Sequence, residues 1–278
     1  MGAPDAGPRR LVRRHTGLVR LTHWINVVCL TVLLMSGLQI FNAHPALYWG
    51  EVSRFDDPVF AITTRKTAEG EPRGVVVLAG RQLDTTGWLG LFADKAGGKD
   101  ARAFPPWATL PSWQSLTDGR LWHFFFAWAF VLNGLVYLLH GLLSRHVWRD
   151  LVPSLRDLGQ IGRTAWDHLR LRFHSGAHAL RYNVLQQLSY LGVIFVLLPV
   201  LVLAGLAMSP RLDAGFPELV AVFGGRQSAR TVHFIAACGL VLFVLVHVFM
   251  VLVSGVWNNL RSMITGRYAV QGGIGDDA

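Results

Sequence analysis

Four long runs of apolar residues constrain this chain more than any other feature of its sequence. They cover residues 18–41, 121–143, 184–208 and 231–256. Each run reaches the roughly 20 residues that a helix needs to cross the hydrocarbon core of a membrane. Lipid satisfies no backbone hydrogen bonds, so only helices or closed β-barrels cross it, and these runs lack the alternation of barrel strands. The sequence therefore predicts an all-α membrane protein built on a four-transmembrane-helix bundle.

Charged residues lie mostly between these runs and make up only 15% of the chain, compared with about 25% in soluble domains. Arginines are concentrated in the N-terminal arm, in residues 145–182 and in the tail, whereas residues 42–120 carry nine basic and nine acidic residues. Basic segments stay in the cytoplasm, so we expect both termini there and residues 42–120, the outer loop, on the opposite side. The net charge of +9 thus reports topology. No nucleic acid is expected, because no basic stretch carries a binding motif or stacking aromatic residues.

Two connections are longer than a helix link requires. The outer loop contains one strand-like run at residues 74–79, and a loop of this length is either functional or disordered. Two interpretations of it stay open: a small cap that docks a partner, and a passive lid. The connection at residues 145–182 predicts a cytoplasmic amphipathic helix at the membrane surface. Its apolar residues follow helical spacing at Leu151, Leu155, Leu158, Ile161, Ala165 and Leu169.

Histidines inside the apolar runs are the candidate functional residues. His233 and His247 are fourteen residues apart on the fourth run, which places them about 21 Å apart along a helix and only about 40° apart around it. Ionisable side chains inside a membrane are rare and mark function, and histidine is a common ligand of haem iron. Histidines spaced in this way can each hold an iron, one near each side of the bilayer.

Depth supplies a partner for each of these two histidines. His123 opens the second run on the outer side, at the depth of His233, and His23 lies in the first turns of the first run, at the depth of His247. A single intramembrane histidine is often a hydrogen-bonded packing residue, but two depth-matched pairs favour two six-coordinate irons. The chain has no Cys-x-x-Cys-His sequence, so we expect two non-covalent haem b groups.

His140 is a fifth candidate on the second run. It follows His123 by seventeen residues and points about 100° away from it around a helix. Two roles stay open for it: the inner iron ligand in place of His23, or a place beside a quinone or in a proton path.

Several segments resemble the cytochrome b subunits of bacterial respiratory complexes. The first run opens with Arg20-Leu-Thr-His23-Trp24-Ile-Asn and ends with Ser36-Gly37-Leu38, as in the formate dehydrogenase gamma subunit, the cytochrome b of nickel–iron hydrogenase and the thiosulfate reductase cytochrome b. Residues 41–50 and 122–128 look like cytochrome b proteins that serve molybdopterin-dependent oxidoreductases. The resemblance covers all four runs, whereas the long outer loop departs from the formate dehydrogenase pattern.

This resemblance implies a function as well as a fold. It makes His23, His123, His233 and His247 the axial ligands of two haem b groups, with a quinone near the cytoplasmic haem. A periplasmic or membrane-associated oxidoreductase subunit is the expected partner at the outer face. We therefore expect one domain, residues 1–278, in the lipid of the bacterial inner (plasma) membrane. It would act as an electron-transfer subunit rather than a stand-alone enzyme, since no hydrolase, nucleophile-elbow or phosphate-loop motif appears.

Two other functions stay open at this point. A membrane transporter with a histidine proton relay predicts helices broken at mid-membrane and internal repeats, and neither is evident in the sequence. A passive membrane anchor subunit with structural histidines predicts no cofactor.

Overall fold

The computed structural model describes residues 10–94, 97–145, 147–170 and 183–270. Its α-helices are α1 (Gly17–Ala43), α2 (Leu116–Leu143), α3 (Leu155–Leu158), α4 (Ile161–Leu169), α5 (Val184–Gly192), α6 (Leu198–Ala207), α7 (Pro210–Gly215), α8 (Pro217–Val222), α9 (Arg226–Val253) and α10 (Val256–Thr265). Its strands are β1 (Arg10–Arg13), β2 (Ala46–Leu47), β3 (Phe60–Lys66), β4 (Pro72–Leu78), β5 (Arg81–Asp84), β6 (Phe92–Ala93), β7 (Lys99–Asp100) and β8 (Arg267–Val270).

Four helices are long and apolar enough to cross a membrane: α1, α2, the continuous helix formed by α5 and α6, and α9. They match the four apolar runs, so the predicted four-helix membrane framework is confirmed. In the third of these helices one π-helical turn, Val193–Leu197, joins α5 to α6. There the Leu198 N–H reaches back to the Val193 carbonyl, immediately before Pro199, which has no N–H to donate. This wider turn accommodates the proline without ending the helix.

Residue contacts divide the chain into two compact units. One takes its described residues from 1–25, 133–198 and 239–278 and is called the terminal unit below. The other takes them from 26–132 and 199–238 and is called the sheet unit. Each of the four long helices contributes residues to both units.

The outer loop folds around an antiparallel sheet in the sheet unit. Its strand order is β2-β3-β4-β5, of which the sequence indicated only the run that became β4. Gly74 on β4 is a point of close approach, because a Cβ there would overlap the Leu89 carbonyl oxygen. The buried core of this region contains Phe41, Leu47, Ile62, Val76 and Ala103, with Phe60, Leu89, Phe104 and Phe234 packed against it. The loop is thus a packed layer tied to α1 and α9.

The start of α9 is bound to the segment that follows α1. The Gly50 carbonyl accepts the backbone N–H groups of Gln227 and Ser228, and the Ser228 hydroxyl accepts the Gly50 N–H at 2.7 Å. The Thr231 hydroxyl donates to the Tyr48 carbonyl at 2.7 Å. These bonds satisfy backbone groups that a helix start otherwise leaves open, so α9 begins five residues before the apolar run predicted.

The terminal unit joins the two ends of the chain. β1 pairs with β8 in antiparallel register, and the Asn133 side chain on α2 donates to the Thr22 carbonyl on α1 at 2.8 Å. The surface helix predicted over residues 145–182 is divided into a π turn (Val147–Leu151), α3 and α4. Pro153 separates the first two of these segments, because proline removes a helical hydrogen bond. Residues 171–182 lie outside the described part of the chain.

Candidate haem sites

His123 on α2 and His233 on α9 face each other in the sheet unit. Their ring centroids are 6.3 Å apart and the ring planes cross at 66°. Two imidazoles that bind one iron from opposite sides place their ring centres about 6 Å apart, because each metal–nitrogen bond is about 2 Å long and each ring adds about 1 Å. This pair therefore has the spacing of two axial ligands.

Hydrogen bonds fix which nitrogen each of these rings offers. The His233 Nδ1 lies 2.8 Å from the Leu201 carbonyl oxygen, which only accepts, so Nδ1 carries the proton. The His123 Nδ1 lies 3.1 Å from the Ser36 Oγ. That hydroxyl donates to the Val32 carbonyl at 2.6 Å and is left to accept from the ring. In both rings Nε2 therefore keeps its lone pair, as in metal-ligating histidines whose other N–H is held by an oxygen.

Two glycines provide the space that these imidazole rings occupy. A Cβ at Gly37 on α1 would lie 3.3 Å from the His123 Cε1. A Cβ at Gly205 on α6 would lie 3.2 Å from the His233 Cε1. Each ring therefore packs against the backbone of a neighbouring helix, which limits its movement.

His23 on α1 and His247 on α9 form the second pair, in the terminal unit. Their ring centroids are 6.4 Å apart and the planes cross at 55°, again the spacing of two ligands on one iron. Aromatic rings surround this pair: Trp24 meets His23 edge-on at 5.4 Å, and Phe243 stacks on His247 at 6.0 Å. The His23 Nδ1 is buried without a hydrogen-bond partner among the described residues.

The donor set suits haem rather than a metal ion held by protein alone. Within the described residues no group of three or more His, Cys, Asp or Glu side chains comes together. A six-coordinate haem iron takes four nitrogens from its own macrocycle and needs only two axial ligands from the protein. Each histidine pair supplies that number.

His140 lies elsewhere on α2. It is partly buried, and its carbonyl accepts the Ser144 hydroxyl at 2.6 Å. Within the described part of the chain, its ring makes no ring contact with the four paired histidines. Its role as a ligand or quinone-site residue stays a prediction.

The sequence predicted how the four histidines pair but not the residues that position the His123 and His233 rings. Ser36 and Gly37 stand in the motif that carries the family resemblance, and their contact with His123 gives that motif a physical role. Gly205 is four residues past Leu201 on the same helix, and together they position His233. The Leu201 contribution is a backbone carbonyl, so no residue type could have signalled it.

Comparisons with known proteins identify the family of this chain. The model of the family described as prokaryotic cytochrome b561 matches residues 14–266, a range that contains all four paired histidines. A protein of Azospira oryzae named "Putative protein-methionine-sulfoxide reductase subunit YedZ1" is 31% identical over 253 residues, which are 91% of this chain and 96% of that protein. The superfamily expected from the resemblance is therefore confirmed. The chain belongs to the prokaryotic cytochrome b561 family, whose members are membrane proteins that transfer electrons with haem b.

Proposed function

We propose that this protein is a di-haem cytochrome b subunit that carries electrons between the quinone pool and an oxidoreductase at the face bearing the β-sheet. The observation that carries the proposal is the presence of one histidine pair in each unit. Both pairs have the ring spacing of two axial ligands, 6.3 and 6.4 Å. A transporter or a passive anchor gives no reason for this repeated geometry.

Some residues of each site would bind the iron, and others orient the residues that bind it. Haem b, when bound, supplies one-electron redox chemistry, and the protein supplies the ligands, the low dielectric and the spacing. In the sheet unit the Leu201 carbonyl and the Ser36 hydroxyl hold the imidazoles in the tautomer that binds iron. In the terminal unit Trp24 packs against the His23 ring and Phe243 against the His247 ring.

The first test is the haem content of the purified protein. We expect about two haems per chain, extractable into acid acetone because no covalent attachment sequence is present, with the spectrum of low-spin haem b. A stoichiometry near one would reject the di-haem arrangement, and a colourless protein would favour the transporter or the anchor.

We propose that the sheet unit faces the periplasm and that both termini lie in the cytoplasm of a bacterium. The support is the arginine distribution, since basic segments stay on the cytoplasmic side. A reporter fused before Arg10 should then report the cytoplasm. A reporter inserted at the Ala79–Gly80 turn, between β4 and β5, should report the periplasm. Matching signals from both positions would refute this topology.

The partner we propose is a molybdopterin-dependent catalytic subunit, of the kind that reduces methionine sulfoxide in proteins. Two observations support it: the name of the Azospira relative and the likeness of residues 41–50 and 122–128 to cytochromes that serve molybdopterin enzymes. We place quinone exchange at the terminal unit, where His140 is a candidate. Quinol should reduce the haems in membranes, and a co-expressed catalytic subunit with methionine sulfoxide should reoxidise them. Failure of reoxidation with the two haems present would reject this partner but not the cytochrome.

A further inference from the structure

Each unit places an arginine one helical turn before one of its ligand histidines. Arg20 precedes His23 on α1, and Arg230 precedes His233 on α9, in both cases by three residues. Side chains three positions apart lie on nearly the same face of a helix, about 4.5 Å apart along its axis. In each helix the arginine lies on the N-terminal side of the histidine. Each candidate haem site thus has its own arginine, in the same position relative to one histidine of the pair.

Arg230 is held by backbone and aromatic groups rather than by a carboxylate. Its Nη2 donates to the His44 carbonyl, and its guanidinium lies 5.9 Å above the centre of the Phe41 ring. Within the described residues it forms no salt bridge. Beside it, the His44 Nε2 is buried and lacks a hydrogen-bond partner in the same part of the chain. Burial and the positive charge of Arg230 lower the pKa of His44.

Arg20 is held in the same manner in the terminal unit. Its Nη1 donates to the Ile264 carbonyl at the end of α10. Its Cζ lies 3.5 Å from the position of a Cβ at Gly266, so the guanidinium packs against the turn between α10 and β8. The Nε is buried and has no hydrogen-bond partner among the described residues. Arg20, like Arg230, forms no salt bridge with a described carboxylate.

An uncompensated guanidinium beside a membrane interior is costly, and charges in that position normally have a partner. Arginine prefers carboxylate partners because its planar donors can match both oxygens. Haem b carries two propionate carboxylates, so each proposed site would bring anions next to its arginine. We propose that Arg20 and Arg230 each bind a propionate of the haem held in the same unit, and that each raises the midpoint potential of that haem. This inference rests on the proposed di-haem function.

The sign of the expected effect follows from charge. Oxidised haem carries one more positive charge than reduced haem, so a neighbouring cation disfavours the oxidised form. The size of this effect increases as the local dielectric constant falls. An arginine that neutralises a propionate also removes a negative charge that would favour the oxidised form. Loss of either arginine should therefore lower the midpoint potential of one haem and leave the other unchanged.

The experiment uses full-length protein with one haem at a time. His123→Ala leaves the terminal-unit haem, and His247→Ala leaves the sheet-unit haem. Redox titration of Arg20→Gln should show a lower potential in the His123→Ala background and no change in the His247→Ala background. Arg230→Gln should show the reverse. Lysine at either position should restore most of the potential, because it keeps the charge.

Two other arginines provide matched controls. Arg13→Gln on β1 removes one charge from the terminal unit. Arg226→Gln on α9 removes a charge that already pairs with Asp213 at 3.4 Å. Neither should shift a potential by as much as the test variants.

The outcomes separate this inference from the function on which it rests. Unchanged potentials with the haems retained would overturn it, as would equal shifts of both haems. A dependence of the shift on added anionic lipid would assign the arginines to lipid headgroups and also overturn it. Absence of haem from the protein that carries none of these substitutions would instead reject the proposed function.

Discussion

The two histidine pairs share a ring spacing but differ in what surrounds them. In the sheet unit, oxygens of Ser36 and Leu201 hold both rings, and a glycine lies against each of them. In the terminal unit the neighbours are the aromatic rings of Trp24 and Phe243, and the His23 Nδ1 has no partner among the described residues. The comparison shows that two histidine rings can be held at the same spacing either by directed hydrogen bonds or by packing. We expect the sheet-unit site to be the more sensitive to small substitutions.

Removal of a ligand should have the largest effect and should act on one unit only. His233→Ala deletes a ligand of the sheet-unit pair, and His247→Ala deletes a ligand of the terminal-unit pair. Each variant should retain about one haem in place of about two, because the substituted site loses one of the two axial bonds that the protein gives its haem. Haem extraction and the reduced-minus-oxidised spectrum measure this. Loss of both haems from either single variant would show that the two sites are not independent.

Gly205→Ala should perturb the sheet-unit haem without removing a ligand. The new Cβ would lie 3.2 Å from the His233 Cε1 and 3.3 Å from its Nδ1, so the ring must shift. Overpacking of this kind costs about 1–3 kcal/mol, and we expect roughly tenfold faster haem release. Transfer of haem to apomyoglobin measures the rate. Gly192→Ala on the same transmembrane helix is the control, because its Cβ would meet nothing within 4 Å among the described residues. Equal release from both variants would contradict the packing role of Gly205.

Ser36→Ala should have a smaller effect on the same haem. It removes the oxygen that accepts from the His123 Nδ1 and leaves both ligands in place. Outer hydrogen bonds to metal-bound histidines contribute about 10- to 100-fold in affinity, and a neutral hydroxyl should fall at the low end. Because the bond increases the basicity of the ligand, its loss should also raise the midpoint potential slightly. Thr31→Ala is the matched control, since among the described residues that hydroxyl bonds only to the Val27 carbonyl on its own helix. A potential that stays constant in Ser36→Ala would remove Ser36 from the site.

His140→Ala should leave both haems bound. Its ring contacts neither histidine pair within the described residues, whereas His23 already faces His247 in the terminal unit. Measuring the haem content of His140→Ala and of His23→Ala decides whether His140 or His23 is the ligand in the terminal unit. Loss of the terminal-unit haem from His140→Ala, with that haem retained in His23→Ala, would make His140 the ligand. A loss of quinol-driven reduction with both haems retained would instead support its role beside quinone.

The helices and the pairing of the histidines could be predicted because both depend on local rules. Apolar length identified the four spans, and counting residues along each span assigned depth to His23, His123, His233 and His247. The helix starts were less accurate. α2 begins five residues early because the Ser115 hydroxyl accepts the Asp118 N–H, and such a cap is hidden when apolar length is the only guide.

The β-sheet and the residues that position the histidines could not be predicted, because they depend on contacts between segments that are distant in the chain. β5 is a short strand of exposed residues, and only its pairing with β4 makes it a strand. Gly205 carried no sign of its contact with His233, because that contact depends on how two helices meet. The surface helix predicted from apolar spacing overlooked Pro153, whose missing N–H outweighs the periodicity.

α9 carries one histidine of each pair on an unbroken helix from Arg226 to Val253, and we therefore expect the chain to be intolerant of a change in length there. A single inserted or deleted residue between His233 and His247 would rotate one ligand by about 100° relative to the other. Apart from packed residues such as Phe234 and Phe243, substitutions in that stretch only have to stay apolar and helical. Over evolutionary time most of the thirteen intervening residues should therefore diverge in identity, while their number stays fixed for as long as both sites are used.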